Sequence, residues 1–152
     1  MVGMSFSAQL RSARLAARLT QAELARRAGT SQSRLSSYEN SSVAPNPSTQ
    51  KRLLQATRRL PSEIVDEKRN EIIEIAMKNG LSNVRVFGSV ARLDDTFGSD
   101  IDLLVTPSPE TSLLELSAFL LEVEDITGRE VEVVSDRSVP LDSEILKEAL
   151  TL

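Results

Sequence analysis

The 152 residues are enough for one ordinary domain or two small ones, and they include no Cys and no His. That excludes disulfides, thiolate zinc sites, cysteine nucleophiles and Ser-His-Asp chemistry, so catalysis falls to carboxylates, hydroxyls, backbone amides and a hard metal such as Mg2+. The net charge of −4 hides a split: residues 1–60 carry 10 Lys/Arg and 2 Asp/Glu (+8), and residues 61–152 carry 8 and 20 (−12). Such asymmetry predicts two units with different partners, the first suited to polyanions.

The first 60 residues read as helices joined by short turns. Ser7 caps a helix carrying Leu10, Ala13, Leu15, Ala17 and Leu19. Thr20-Gln21-Ala22-Glu23 is a capping box, which opens a second helix; Leu24, Ala25 and Ala28 form its apolar side and Gly29 ends it. Thr30 or Ser31 caps a third helix running to about Glu39. Residues 40–47 form a loop by composition, and a fourth helix spans Gln50 to Leu60.

Pro61 suits the first turn of the next helix, whose buried face takes Ile64, Ile72, Ile75 and Ala76 and which stops at Asn79-Gly80. A strand follows at Asn83–Phe87, one helical turn at 89–93 and a second strand at Ile101–Val105. An apolar helix at about 112–126, a strand at Glu130–Ser135 and a short helix at about 141–150 complete the chain. This order predicts an α/β sheet with helices packed on it, placed after an all-α unit. No apolar run approaches the ~20 residues of a membrane span and no leader is visible, so a soluble, cytoplasmic protein without a membrane partner is expected.

Two stretches carry chemistry. In the first unit, LTQAELARRAGTSQSRLSSYEN places two helices around Ala28-Gly29-Thr30, a helix-turn-helix arrangement. It resembles the helix-turn-helix of the Cro/lambda-repressor (XRE) family, matching at Gln21, Glu23-Leu24-Ala25, Gly29, Leu35 and Glu39. The resemblance covers residues 7–60 and implies that the third helix enters the major groove of operator DNA. Carried onto this chain, it assigns base-edge contacts to Gln32, Ser33 and Ser37, with Arg34 near base or backbone. Gln21 and Ser31 would meet phosphates, as would some of Arg11, Arg14 and Arg18. The resemblance also allows a homodimer. Ser41, where the family often has Gly, is a departure.

In the second unit, Gly88-Ser89 precedes Asp100-Ile101-Asp102 within GSVARLDDTFGSDIDLLV. A Gly-Ser turn lets backbone N–H groups approach phosphate oxygens, and two carboxylates spaced by two on a strand project from one face. A phosphate cradle beside paired carboxylates suits metal-assisted chemistry on a nucleoside triphosphate. From about Ser82 to Ser135 the chain resembles the minimal nucleotidyltransferases, relatives of DNA polymerase beta. The matching residues are Gly88, Ser89, Val90-Ala91-Arg92, Ser99, Asp100 and Asp102. The fold class expected is therefore a helix-turn-helix bundle (1–61) followed by an α/β (α+β) polymerase-beta-like unit (62–152).

That resemblance implies ATP as donor, with Gly88, Ser89, Arg92 and Ser99 on the nucleotide. It also implies two Mg2+ ions on Asp100, Asp102 and a third carboxylate on the neighbouring strand. Glu132 occupies the third position, where the family more often has Asp; Glu130 and Asp136 are the alternatives, and Asp94 and Asp95 read as loop acids. Glu132 would also accept the proton of the attacking hydroxyl. Minimal nucleotidyltransferases of this size resemble antitoxins that adenylylate a tyrosine of a cognate toxin, often of the HEPN type. An attached helix-turn-helix fits repression of their own operon. Two further readings remain: a DNA-binding regulator whose second unit senses or docks without chemistry, and a toxin that nucleotidylates tRNA. The acidity of the second unit opposes a polynucleotide acceptor.

Overall fold

A computed structural model of the chain describes residues 3–152 and divides them after Arg59 into two compact units. The first holds four helices: α1 (Phe6–Ala16), α2 (Gln21–Ala28), α3 (Gln32–Glu39) and α4 (Pro47–Ala56). The capping box of α2 forms, with Thr20 Oγ1 accepting from Glu23 N–H at 3.1 Å and Glu23 Oε2 accepting from Thr20 N–H at 2.7 Å. Gly29 ends α2 at φ 68°, the left-handed conformation that glycine tolerates best. Ser31 then caps α3 by accepting from Arg34 N–H.

Two helix starts differ from the sequence reading, both because of capping. Ser5, not Ser7, caps α1, since its hydroxyl accepts from Ala8 N–H. Helix α4 begins at Pro47 rather than Gln50, because Asn46 accepts from Thr49 N–H at 2.8 Å and Pro47 fits the first turn. It ends at Ala56, and Leu60 instead opens the next helix. Leu15, expected on the apolar side of α1, is 56% exposed.

The second unit is a four-stranded sheet covered on one face by two helices. In chain order it runs α5 (Pro61–Lys78), β1 (Leu81–Phe87), α6 (Gly88–Arg92), β2 (Ile101–Pro107) and α7 (Leu113–Thr127). Then come β3 (Val131–Ser135), a 3₁₀ turn (Asp136–Ser138), α8 (Glu144–Glu148) and β4 (Leu150–Thr151). The strand order is β3-β2-β1-β4, with β2 parallel to β3 and β1 antiparallel to both β2 and β4. Ile72, Ala76, Phe119 and Val123 from α5 and α7 pack on Val84, Val86, Ile101, Leu103 and Val105 of the sheet. The parallel β2–β3 pair needs a crossover, and α7 is that crossover.

The last helix is shorter than expected. Ala149 leaves the helical conformation (ψ 132°), and Leu150 and Thr151 pair with Val86 and Arg85. A two-residue strand has no alternation to announce it. Among the described residues no helix is long and apolar enough to cross a membrane.

In the first unit Leu10, Leu24, Leu35 and Leu53 are fully buried, each such burial contributing ~1.5–3 kcal/mol. A charge lies among them. Arg14, a candidate phosphate contact by sequence, is instead buried: its Nε and Nη2 donate to the two carboxylate oxygens of Glu39 at 2.6 and 3.0 Å, and its Nη1 donates to Leu19 O at 2.9 Å. Gln21 Nε2 adds a bond to Glu39 at 2.9 Å. Burial raises the Glu39 carboxyl, but the bonds from Arg14 and Gln21 outweigh it and hold the group below its usual range. Breaking a bidentate buried pair leaves an uncompensated charge. Glu39→Ala should therefore lower the stability of this unit by about 3 kcal/mol. Tyr38, the chain's one tyrosine, lies in this unit, so urea unfolding followed by tyrosine fluorescence measures it; an unchanged midpoint would contradict the role.

Candidate functional sites

The sheet register builds the acidic site. Phe87 on β1 lies opposite Asp102 on β2, and Asp102 lies beside Glu132 on β3. Backbone pairing thus sets two carboxylates next to each other at the end of the sheet where β1 runs into Gly88. Ile101 and Leu103, flanking Asp102, are fully buried, so alternation along the strand turns Asp102 to the other face. Asp100 stands just before β2 and is exposed.

The electrostatics follow from this packing. Partial burial, the neighbouring Glu132 charge, a hydrogen bond with Glu132 and the charge of Asp100 together push Asp102 up to about 6, with Arg92 pulling the other way. Two carboxylates side by side resist full ionisation, and they share a proton or bind a cation. Hard oxygen donors in this state suit a divalent cation such as Mg2+. Among the described residues no three acidic side chains close into a ready cage. The register brings Asp102 and Glu132 together; Asp100 acts on Asp102 through its charge.

Gly88 is required sterically. Its φ is 66°, and a Cβ added there would overlap the Asp102 carboxylate oxygen. The turn and the acid are therefore in van der Waals contact, with no side chain between them. Ser89 follows in the first turn of α6, and Arg92 ends that helix, its Nε donating to Asp94 at 3.3 Å and its Nη1 to Glu148 at 3.0 Å. Ser99 has a local task, its Oγ accepting from Thr96 N–H at 2.8 Å.

Other predicted residues take structural positions. Asp136 pairs with Arg85 at 2.8 Å and accepts from the Thr106 hydroxyl, and Asp95 accepts from Ser62 N–H at 2.8 Å, capping α5. Two residues that the sequence motifs do not include hold the site. Arg129 Nη2 donates to the carbonyls of Phe97 and Ser99 at 2.6 and 2.7 Å, fixing the loop that delivers Asp100. Glu148 accepts from Gly88 N–H at 2.9 Å. No local motif marks either one, because each acts on chain distant in sequence.

In the first unit Ser31, Gln32, Ser33 and Arg34 are exposed together at the start of α3, and Ser37 is half-buried with its hydroxyl on Ser33 O at 3.1 Å. Arg11 and Arg18 are exposed. Gln21 is tied to Glu39 by its side-chain amide.

The acid pair has a measurable cost. A carboxyl whose folded value lies above its unfolded one contributes stability that is complete below the unfolded value and is lost as pH rises through about 6. Asp102→Asn should then raise the melting temperature of the metal-free protein at pH 7.5 by about 5 °C, from roughly 1 kcal/mol after solvent screening. The gain should shrink as the pH falls toward 5. A thermal scan at both pH values decides it, and a pH-independent difference would contradict the coupling.

Comparison with known proteins fits both halves of this geometry. A family profile described as "Helix-turn-helix domain" matches residues 5–65, and one described as "Polymerase beta, Nucleotidyltransferase" matches residues 70–152. A "putative protein adenylyltransferase" of Methanocaldococcus jannaschii is 38% identical over 88 residues, covering 57% of this chain and 95% of that protein. A solved structure described as a "putative minimal nucleotidyltransferase" superposes with a TM-score of 0.56 at 33% identity, covering 60% of this chain and 95% of the other. With its Gly-Ser turn set against a register-paired acid site, the chain belongs to the polymerase-beta-type nucleotidyltransferase family and carries a helix-turn-helix domain ahead of that enzyme unit.

Proposed function

We propose that this nucleotidyltransferase transfers AMP from ATP to a hydroxyl of a partner protein, acting as the antitoxin of a toxin–antitoxin pair that also binds its own operator. The observation that carries the catalytic reading is the contact of Gly88 with Asp102 and of Asp102 with Glu132. It places a turn able to receive phosphates directly against two carboxylates. The relative described as a protein adenylyltransferase supports a protein acceptor.

In this reading the Gly88-Ser89 turn receives the β and γ phosphates, with the Ser89 hydroxyl and the Arg92 guanidinium as further donors. Asp100, Asp102 and Glu132 would hold the divalent cation, Mg2+, which when bound supplies charge neutralisation at the triphosphate. The acceptor oxygen forms its bond to the α-phosphorus as the bond to pyrophosphate breaks. Glu132 takes the proton that the acceptor hydroxyl gives up. A tyrosine of a HEPN-type toxin is the acceptor that the family resemblance favours. The −12 balance of residues 61–152 favours a protein over a polynucleotide.

The first unit supplies the address. Its +8 balance favours a polyanion, and the exposed start of α3 would present Gln32, Ser33 and Arg34 to the major groove. Ser31, at the exposed start of α3, would lie toward phosphates, whereas the Gln21 amide is already engaged by Glu39.

The test uses the purified protein, Mg2+, α-labelled ATP and the product of the neighbouring gene, with tRNA as a parallel acceptor. Label should appear on that product and be lost, by at least about 100-fold, in the Asp100→Ala/Asp102→Ala double variant. Mg2+ should also raise the melting temperature of the wild type at pH 7.5 and leave the double variant unmoved. Label on tRNA would replace the protein acceptor by the toxin reading, and no label with DNA binding intact would leave a regulator.

DNA binding is tested separately. Gln32→Ala should weaken binding to operator DNA by about 1–3 kcal/mol and relax its sequence preference. Arg34→Ala should weaken all duplexes alike and flatten the salt dependence. Gel shifts at two salt concentrations measure both; unaltered binding by both variants would refute the α3 assignment.

A further inference from the structure

Helix α6 has no cap of its own. The residue before it is Phe87, whose side chain offers no acceptor, and no side-chain cap bond forms from that position. The first N–H groups of a helix have no partner within it. Glu148, sixty positions away, provides one: its Oε1 accepts from Gly88 N–H at 2.9 Å while its Oε2 accepts from Arg92 Nη1 at 3.0 Å. One carboxylate therefore grips the first and the last residue of the helix that carries Ser89.

The chain around Glu148 is built to deliver it. Ser143 caps α8 by accepting from Ile145 N–H. Immediately after α8, Leu150 and Thr151 pair with Val86 and Arg85 on β1, the strand that leads into Gly88, and Leu152 N–H bonds Val84 O at 3.0 Å. This short strand fixes the register of α8 against α6. The Glu148 side chain is 27% exposed and that of Arg92 is 51% exposed, so the carboxylate is the anchored partner and the guanidinium the outward one. A guanidinium has five donors. Glu148 and Asp94 engage Nη1 and Nε, leaving Nη2 for a ligand among the described contacts.

We propose that Glu148 is a positioning residue for nucleotide binding. It caps Gly88 from across the fold and aims Arg92, so that the turn meets the triphosphate already formed. The proposal rests on the reading of Gly88–Arg92 as the phosphate turn. It adds a residue outside the Gly-Ser and Asp-x-Asp pattern to that reading, and it gives the C-terminal segment a task.

The experiment compares full-length wild type, Glu148→Ala and Glu148→Gln by Mg·ATP titration and by amide hydrogen exchange. In Glu148→Ala the Gly88 amide should exchange at least about tenfold faster while β1–β3 amides stay protected, and the Kd for Mg·ATP should rise about tenfold. Glu148→Gln keeps an oxygen for the Gly88 N–H and loses the charge on Arg92. It should retain Gly88 protection and weaken ATP by only about threefold. Should Glu148→Ala lose sheet protection altogether, the Gln variant decides by its split between exchange and affinity. Unchanged or tighter ATP binding in the variants would overturn the proposal and make Glu148 a competitor of the phosphates. A wild type that binds no Mg·ATP would overturn the phosphate-turn reading itself, a distinct failure.

Discussion

Pairing of β2 with its two neighbours is the constraint on which the enzyme unit depends. Backbone hydrogen bonds to β1 and β3 fix one row across the sheet, Phe87–Asp102–Glu132. The row brings two carboxylates together, and burial first, then the neighbouring Glu132 charge, raises the Asp102 group. The sheet tolerates this because the opposite face of the same strands buries Ile101, Leu103 and Val105 completely. A one-residue slip would take those residues off the helix-covered face and turn the acid into the core. The hydrophobic core thus enforces the geometry of the charged site.

Around that row the remaining parts are held by long-range polar bonds. Gly88 holds a φ of +66° that side chains rarely adopt, and the Asp102 carboxylate lies where its Cβ would be. Arg129 holds the loop before Asp100 by two carbonyls, and Glu148 holds the turn before Ser89. Both anchors come from chain that follows the motif, one from the turn before β3 and one from the end of α8. A family pattern written on Gly88-Ser89 and Asp100-x-Asp102 therefore captures the reacting groups and leaves out what keeps them in place.

The helix-turn-helix unit solves a different problem with the same means. Four fully buried leucines lie at the centre of its core, and the Arg14–Glu39 pair with Gln21 ties α1, α2 and α3 together inside it. A basic residue near the start of such a unit reads as a phosphate contact when charge alone is counted. Arg14 shows why that reading fails: its charge is spent on an internal partner 25 positions away.

What the sequence determined by itself is what short-range chemistry writes. The capping box at Thr20–Glu23, the Gly29 stop, Pro61 at the head of α5 and the alternation of β2 were all legible, since each depends on a few adjacent residues. So were both families, carried by spaced residues on continuous stretches. Tertiary structure alone decided the strand β4 and the partners of Arg14, Arg129 and Glu148. It also decided that Asp136, an alternative to Glu132 by sequence, belongs to Arg85. The physical reason is common to all of these: a hydrogen bond or ion pair between distant segments leaves no periodicity and no local composition to read. Only the packed sheet and its register choose which side chains meet.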